Sequence, residues 1–193
     1  MRHGCKCLVG VMGLATCHGQ TLVKIIERQM LGFGFQPRVG IVGENGTAGW
    51  KQLRSVEQIA LARQADVLCG PSGNELGLGA FMREATWLLE LMPQPVVTQE
   101  QGRYEMTNCN EKMNANPGSL VGHVALRSHV YHLCMNVNLG RVYRTTDLES
   151  PHWRFTPSMH VNGFALQEML SLPFSVIAED RQLKMAVAGL ERV

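Results

Sequence analysis

The sequence predicts an α/β protein built on a parallel, doubly wound sheet with helices on both faces. Short apolar runs alternate with segments of helical period, in the order strand, helix, strand, helix, strand, helix, strand. The third apolar run, Val67 to Cys69, ends in Gly70-Pro71-Ser72-Gly73, where no regular element continues. A small-residue helix opens at about Asn74 and leads to a fourth apolar run, Trp87 to Leu91, whose one acid is Glu90.

Taken in order, Leu8 to Met12 reads as the first strand, ending in Gly13. Its charged-then-apolar lead, Met1 to Lys6, also resembles a signal peptide. The strand is the preferred reading, because the run is short for a leader and a helix pattern follows at once. Leu14-Ala15-Thr16-Cys17 resembles a lipoprotein box only by chance. Thr21 to Leu31 reads as a helix, with Leu22, Ile25, Ile26 and Met30 on one stripe and Lys24, Glu27 and Arg28 opposite. Gly32-Phe33-Gly34-Phe35 closes it, as glycine closes a helix. Arg38 to Val42 is the second strand, and Ser55 to Gln64 the second helix. Gln94 to Gly118 is polar, rich in asparagine and without period, and reads as a long, mobile loop. Val121 to Val137 reads as a helix, Arg141 to Arg144 as a short strand, and Asn162 to Leu170 as a helix. Pro173 is expected to break or kink that last segment, with a terminal helix resuming over Ala178 to Leu190.

Composition bounds the functions. A chain of 193 residues with 45% apolar and 18% charged residues is globular, and is read as one domain over residues 1–193. A net charge of +2 with no Lys/Arg cluster leaves no footprint for nucleic acid. No run approaches the ~18 apolar residues of a membrane-spanning helix. The six cysteines include no C-x-x-C pair, which excludes a zinc ribbon or a thioredoxin motif. Cys69 reads as a small buried hydrophobe. Cys109 and Cys134 lie near helix or loop ends, and the sequence leaves open whether they pair in an oxidising compartment.

The chemistry concentrates around the glycine turn. Gly70, Ser72, Gly73 and Asn74 would offer backbone N–H groups, a hydroxyl and a helix start to an anionic group, at the carboxyl edge where α/β sheets hold phosphates. The competing reading is a tight strand-to-helix turn with no ligand. Glu90, read as a strand-end acid, would accept hydrogen bonds from ribose hydroxyls or pair with a basic neighbour. No metal site is expected: His123, His129 and His132 lack the H-E-x-x-H pattern and a matching carboxylate. Arg127-Ser128-His129 reads as an exposed face, placed near the donor. Asn45-Gly46-Thr47 is both a glycosylation sequon and an Asn-Gly turn. Trp50, Trp87 and Trp153 read as packing residues. No G-x-G-x-x-G follows the first strand, which argues against a flavin- or nucleotide-dependent oxidoreductase.

The segment from Ser55 to Pro93 resembles the donor-binding segment of glycosyltransferase family 61. That family includes the EGF-domain O-GlcNAc transferases, the protein O-mannose N-acetylglucosaminyltransferases and the plant xylan glycosyltransferases. Ala65-Asp66-Val67, Gly70, Gly73, Leu76, Phe81-Met82 and Glu90-Leu91 with Pro93 fall in step with its pattern, and Ser55 to Ile59 resembles the helix before it. Gly140-Arg141-Val142-Tyr143 and the stretch from Phe155 to Phe164 resemble later parts of the family. Three positions depart from it: Ser72 replaces the family histidine, Asn74-Glu75 replaces Ala-Gly, and no arginine follows the first strand.

The resemblance implies the C-terminal, Rossmann-like half of a GT-B fold. It also implies metal-free transfer, with inversion, of a sugar from a nucleoside diphosphate sugar to a glycan or protein hydroxyl acceptor. No cofactor is implied, and the catalytic base would come from another domain, leaving the catalytic residue of this chain unknown. It implies the Golgi or endoplasmic reticulum lumen for a eukaryotic member and the cytoplasm otherwise. The alternative is a non-catalytic Rossmann-like binding or interaction module descended from such an enzyme.

Overall fold

The structure, a computed structural model, describes residues 6–10, 16–42, 54–72, 74–97, 109, 120–143 and 159–190. Among them, six strands form one sheet in the order β2-β1-β3-β4-β5-β6. They are β1 (Lys6–Gly10), β2 (Arg38–Val42), β3 (Val67–Pro71), β4 (Trp87–Val97), β5 (Tyr131–Tyr143) and β6 (Met159–His160). The pairs from β2 through β5 are parallel, and β6 closes the edge antiparallel to β5. This bears out the α/β class and the parallel strands expected at Arg38–Val42, Val67–Cys69 and Trp87–Leu91.

Four α-helices accompany the sheet among the described residues: α1 (Thr16–Gly32), α2 (Ser55–Ala62), α3 (Leu120–Arg127) and α4 (Gly163–Leu190). A 3₁₀ helix, Asn74–Phe81, links β3 to β4. Alternate residues of β3 and β4 feed two cores, as a strand covered on both faces requires. Val67, Cys69, Leu89, Leu91 and Leu133 join Leu22, Ile26 and Met30 of α1 and Leu166, Leu170 and Phe174 of α4. Leu68 and Leu88 join Ala62 of α2, Leu76 of the 3₁₀ helix, and Val121 and Ala125 of α3. The helices therefore lie on both faces of the sheet.

Two helix ends are set by the same device. After α1, the Phe35 N–H donates to the Met30 carbonyl at 3.0 Å and the Gly34 N–H to the Leu31 carbonyl at 3.0 Å. Gly34 adopts φ 75°, the left-handed conformation that glycine takes without strain. After α3, the Val130 N–H donates to the Ala125 carbonyl at 3.0 Å, and His129 sits at φ 53°. This overturns the helix expected over Val121 to Val137. The helix stops at Arg127, His129 turns the chain, and the rest of that stretch is the first half of β5. Buried Leu133 and Val137 beside exposed Tyr131 belong to a strand, and the expected Arg141–Arg144 strand is its continuation.

Pro173 does not break α4, which runs unbroken from Gly163 to Leu190. An interior proline forfeits one ladder bond and costs ~3 kcal/mol in an isolated helix. Here both halves of the helix are held from outside. Leu166, Met169, Leu170 and Phe174 are buried, with Ile177 and Ala178 packed alongside. The Gln29 side chain of α1 also donates to the Gln167 carbonyl at 3.0 Å. At the start of the helix, the Asn162 side chain accepts from the Phe164 and Ala165 N–H groups at 3.0 and 3.3 Å, a cap that fixes where it begins.

Cys69 is 0% exposed in the middle of β3, as the sequence reading expected. Burial pushes its thiol up from 9.0 to about 12. The native state thus holds the proton that the unfolded chain releases first. Cys69's contribution to stability is fully present below pH 9 and is lost between pH 9 and about 12. The Cys69→Ala variant should lack this alkaline decline, as urea unfolding at pH 8 and pH 10 will test. A decline equal to wild type would show that another group causes it.

Candidate functional site

Parallel strands order the sheet edges: every strand from β1 to β5 delivers its last residue to one rim. The strand order reverses beside β1, which lies between β2 and β3. In doubly wound sheets the connections on either side of such a reversal leave in opposite directions and open a crevice at the carboxyl ends. The turn after β3 borders that crevice.

Of the residues expected there, Gly70 is buried inside β3 and lies level with Glu90 of β4. Pro71, also buried, has no N–H. Ser72 is half-buried just beyond the strand, and its N–H donates to the Leu91 carbonyl at 2.9 Å. That N–H serves the sheet rather than an incoming phosphate. Asn74 opens the 3₁₀ helix, and Gly73 lies outside the described residues. The turn therefore offers less free backbone than its composition suggested, because the β3–β4 ladder runs up to Ser72.

Glu90 requires the largest correction. β4 continues to Val97, so Glu90 stands within the strand and not at its end. Its side chain is 0% exposed, and its Oε2 lies 3.0 Å from Nε2 of His132 on β5. A carboxylate enclosed in this way is not open to a ribose hydroxyl. It belongs to a polar pair in the second face of the sheet, with His132 side-chain exposure at 10%. The sequence reading found no carboxylate for His132. The partner comes from a neighbouring strand, 42 positions away in the chain.

The same patch is stapled covalently. Cys109 and Cys134 form a disulfide, with Cα atoms 5.5 Å apart, that packs against buried Met92. Cys134 lies level with Glu90 in the ladder. The Asn136 side chain accepts from the Cys109 N–H at 3.1 Å and so fixes the approaching backbone. Closing a loop with a separation of 25 residues stabilises by roughly 3 kcal/mol in the chain-entropy account. The expected loop from Gln94 to Gly118 is thus strand up to Val97 and anchored at Cys109. Its other residues lie outside the described ones.

The remaining candidates separate. His129 is exposed and precedes β5, so Arg127-Ser128-His129 lies toward the amino edge of the sheet, opposite the expected donor position. No group of three or more His, Cys, Asp or Glu side chains among the described residues is arranged to hold a metal. Trp87 is buried at the start of β4, against Tyr131. Asn45-Gly46-Thr47, Trp50 and Trp153 lie outside the described residues. Among the described residues, no helix is long and apolar enough to cross a membrane. No family model matches this chain, and no curated protein matches it.

Proposed function

We propose that the chain is a nucleotide-binding α/β module, the donor-binding half of a GT-B glycosyltransferase. Its ligand is a nucleoside diphosphate sugar, and its reaction is transfer of the sugar to a hydroxyl with inversion. The observation that carries this reading is the reversal of strand order beside β1, with the Ser72 turn at the adjoining carboxyl edge. The diphosphate lies beyond Ser72 at the start of the 3₁₀ helix, with the Ser72 hydroxyl as a further donor. Glu90 enters as a support beneath the turn, level with Gly70 and braced on His132, and not as a ribose ligand. The second reading is a non-catalytic module of the same fold, favoured by Ser72 in place of the family histidine and by the use of its N–H within the sheet.

Titration calorimetry with UDP, GDP and their sugars tests both readings. Nucleotide binding at or below millimolar concentration is expected, with Gly73→Val abolishing it by blocking the backbone approach. Glu75→Gln should be neutral, or tighten binding if that carboxylate faces the phosphates, which it would repel. Because the catalytic base would come from another domain, transfer is assayed with a protein that also carries that domain, and binding without transfer there selects the non-catalytic module. Absence of any nucleotide binding at millimolar concentration, by this chain and by the full-length protein alike, overturns the glycosyltransferase reading.

A further inference from the structure

α1 and α4 cover the same face of the sheet and pack side by side. They run in the same direction: Gln29 of α1 bonds to Gln167, and beyond the helix Phe33 meets Phe174. Each turns one side to the shared core, so their opposite sides form one outer surface. On α1 that surface carries Lys24, Arg28 and Leu31, all exposed. On α4 it carries Glu168, Leu172, Val176, Glu179 and Leu183, also exposed. Steps of three and four residues keep each row on one side of its helix. Leu31 is 61% exposed, Leu172 49% and Leu183 66%. The solvent side of a helix is ordinarily polar, so a contiguous apolar row on it marks a contact surface.

The charges say what fits there. Among the described residues, Lys24, Arg28, Glu168 and Glu179 enter no ion pair. Nearby Asp180, by contrast, is already met by Lys184. α1 thus presents two uncommitted cations beside a leucine, and α4 presents two uncommitted acids among leucine and valine. Half-buried Glu27 flanks the α1 row and leaves its outer side positive. The two rows complement each other, and one surface carries both. Such a surface is matched by a second copy of itself about a two-fold axis.

Spacing and size agree with that match. A two-fold axis normal to the layer reverses the helices of the copy, so α1 lies antiparallel on the copy's α4. Lys24 and Leu31 are seven residues apart, and so are Leu172 and Glu179. In that arrangement Leu31 falls on Leu172 of the second copy while Lys24 falls on its Glu179, and the symmetry repeats both contacts. At 1.5 Å per residue α1 is ~25 Å long and α4 ~42 Å. Two such helices, ~10 Å wide each, present roughly 700 Å², close to the ~800 Å² per partner of a standard interface.

We propose that the outer surface of α1 and α4 is a homodimer interface, in which each α1 row docks antiparallel on the α4 row of a second copy. It does not depend on the nucleotide reading. Sedimentation equilibrium of the whole chain tests it, and a dimer is expected at micromolar concentration. Lys24→Glu and Glu179→Lys should each raise the dissociation constant about tenfold or more, because each reversal makes two attractive contacts repulsive. Both positions are exposed on helices, so circular dichroism should stay unchanged. Combined in one chain, the two reversals exchange the signs of the contact. That double variant should dimerise at least about threefold more tightly than either single variant, a recovery that damage to the fold cannot produce. A chain that stays monomeric at ~100 μM overturns the proposal, whatever other protein covers the surface. So does a dimer that ignores both reversals, or a double variant no tighter than the single ones.

Discussion

Replacing His132 with leucine is expected to destabilise the fold by about 1–3 kcal/mol, the cost of taking a hydrogen-bond partner from a buried polar group. The reason is the position of Glu90. It is 0% exposed inside a central strand, and His132 Nε2 meets it at 3.0 Å. Losing the imidazole removes the partner of Glu90 Oε2 and puts an alkyl side chain in its place. Adding Glu90→Leu should recover part of the loss, because replacing both partners by apolar groups is close to neutral for their mutual hydrogen bond. Urea unfolding of the two single variants and the double variant gives the coupling directly. A loss below about 1 kcal/mol for His132→Leu, or no recovery in the double variant, would mean that the pair does not hold Glu90 in place.

Phe174→Ala should cost more, about 3–5 kcal/mol, by a different route. Phe174 is 0% exposed and packs against Phe33 and Phe35, each with ring centroids 6.1 Å away. It ties α4 to the segment that follows α1, one residue beyond Pro173. Truncation opens a cavity among aromatic rings and removes the packing that holds the helix together across the proline. Phe174→Leu should cost less, since it keeps most of the volume. Thermal unfolding followed by circular dichroism checks both. A change in stability under about 1 kcal/mol for the alanine variant would place the helix contact elsewhere.

The local signals in this chain were legible where neighbours along the sequence decide the structure. The stripe of Leu22, Ile26 and Met30, the glycine stop at Gly34, and the apolar runs at Val67 and Trp87 each specify an element by period or by backbone freedom. Their alternation is enough for the α/β class. The errors share one cause. Val121 to Val137 has apolar residues that satisfy a helical stripe in its first half and strand alternation in its second. The turn at His129 falls on a residue that carries no strong turn signal. Pro173 is a local breaker that burial of the surrounding stripe overrules.

The site followed the same division. Sequence placed the turn Gly70-Pro71-Ser72-Gly73 between a strand and a helix, and the structure keeps it there as far as Ser72. It could not show that the Ser72 N–H is taken by Leu91, because that bond depends on β4 lying beside β3. Nor could it show that Glu90 faces His132, or that Cys109 reaches Cys134, since both partners come from β5. By itself, the sequence determined which segments are strands and helices where period, glycine and burial agree, and thereby the class of fold. Tertiary structure decided the strand order and the partners of the buried polar groups. Those depend on which strands become neighbours, and pairing between strands leaves no periodic trace in either strand alone.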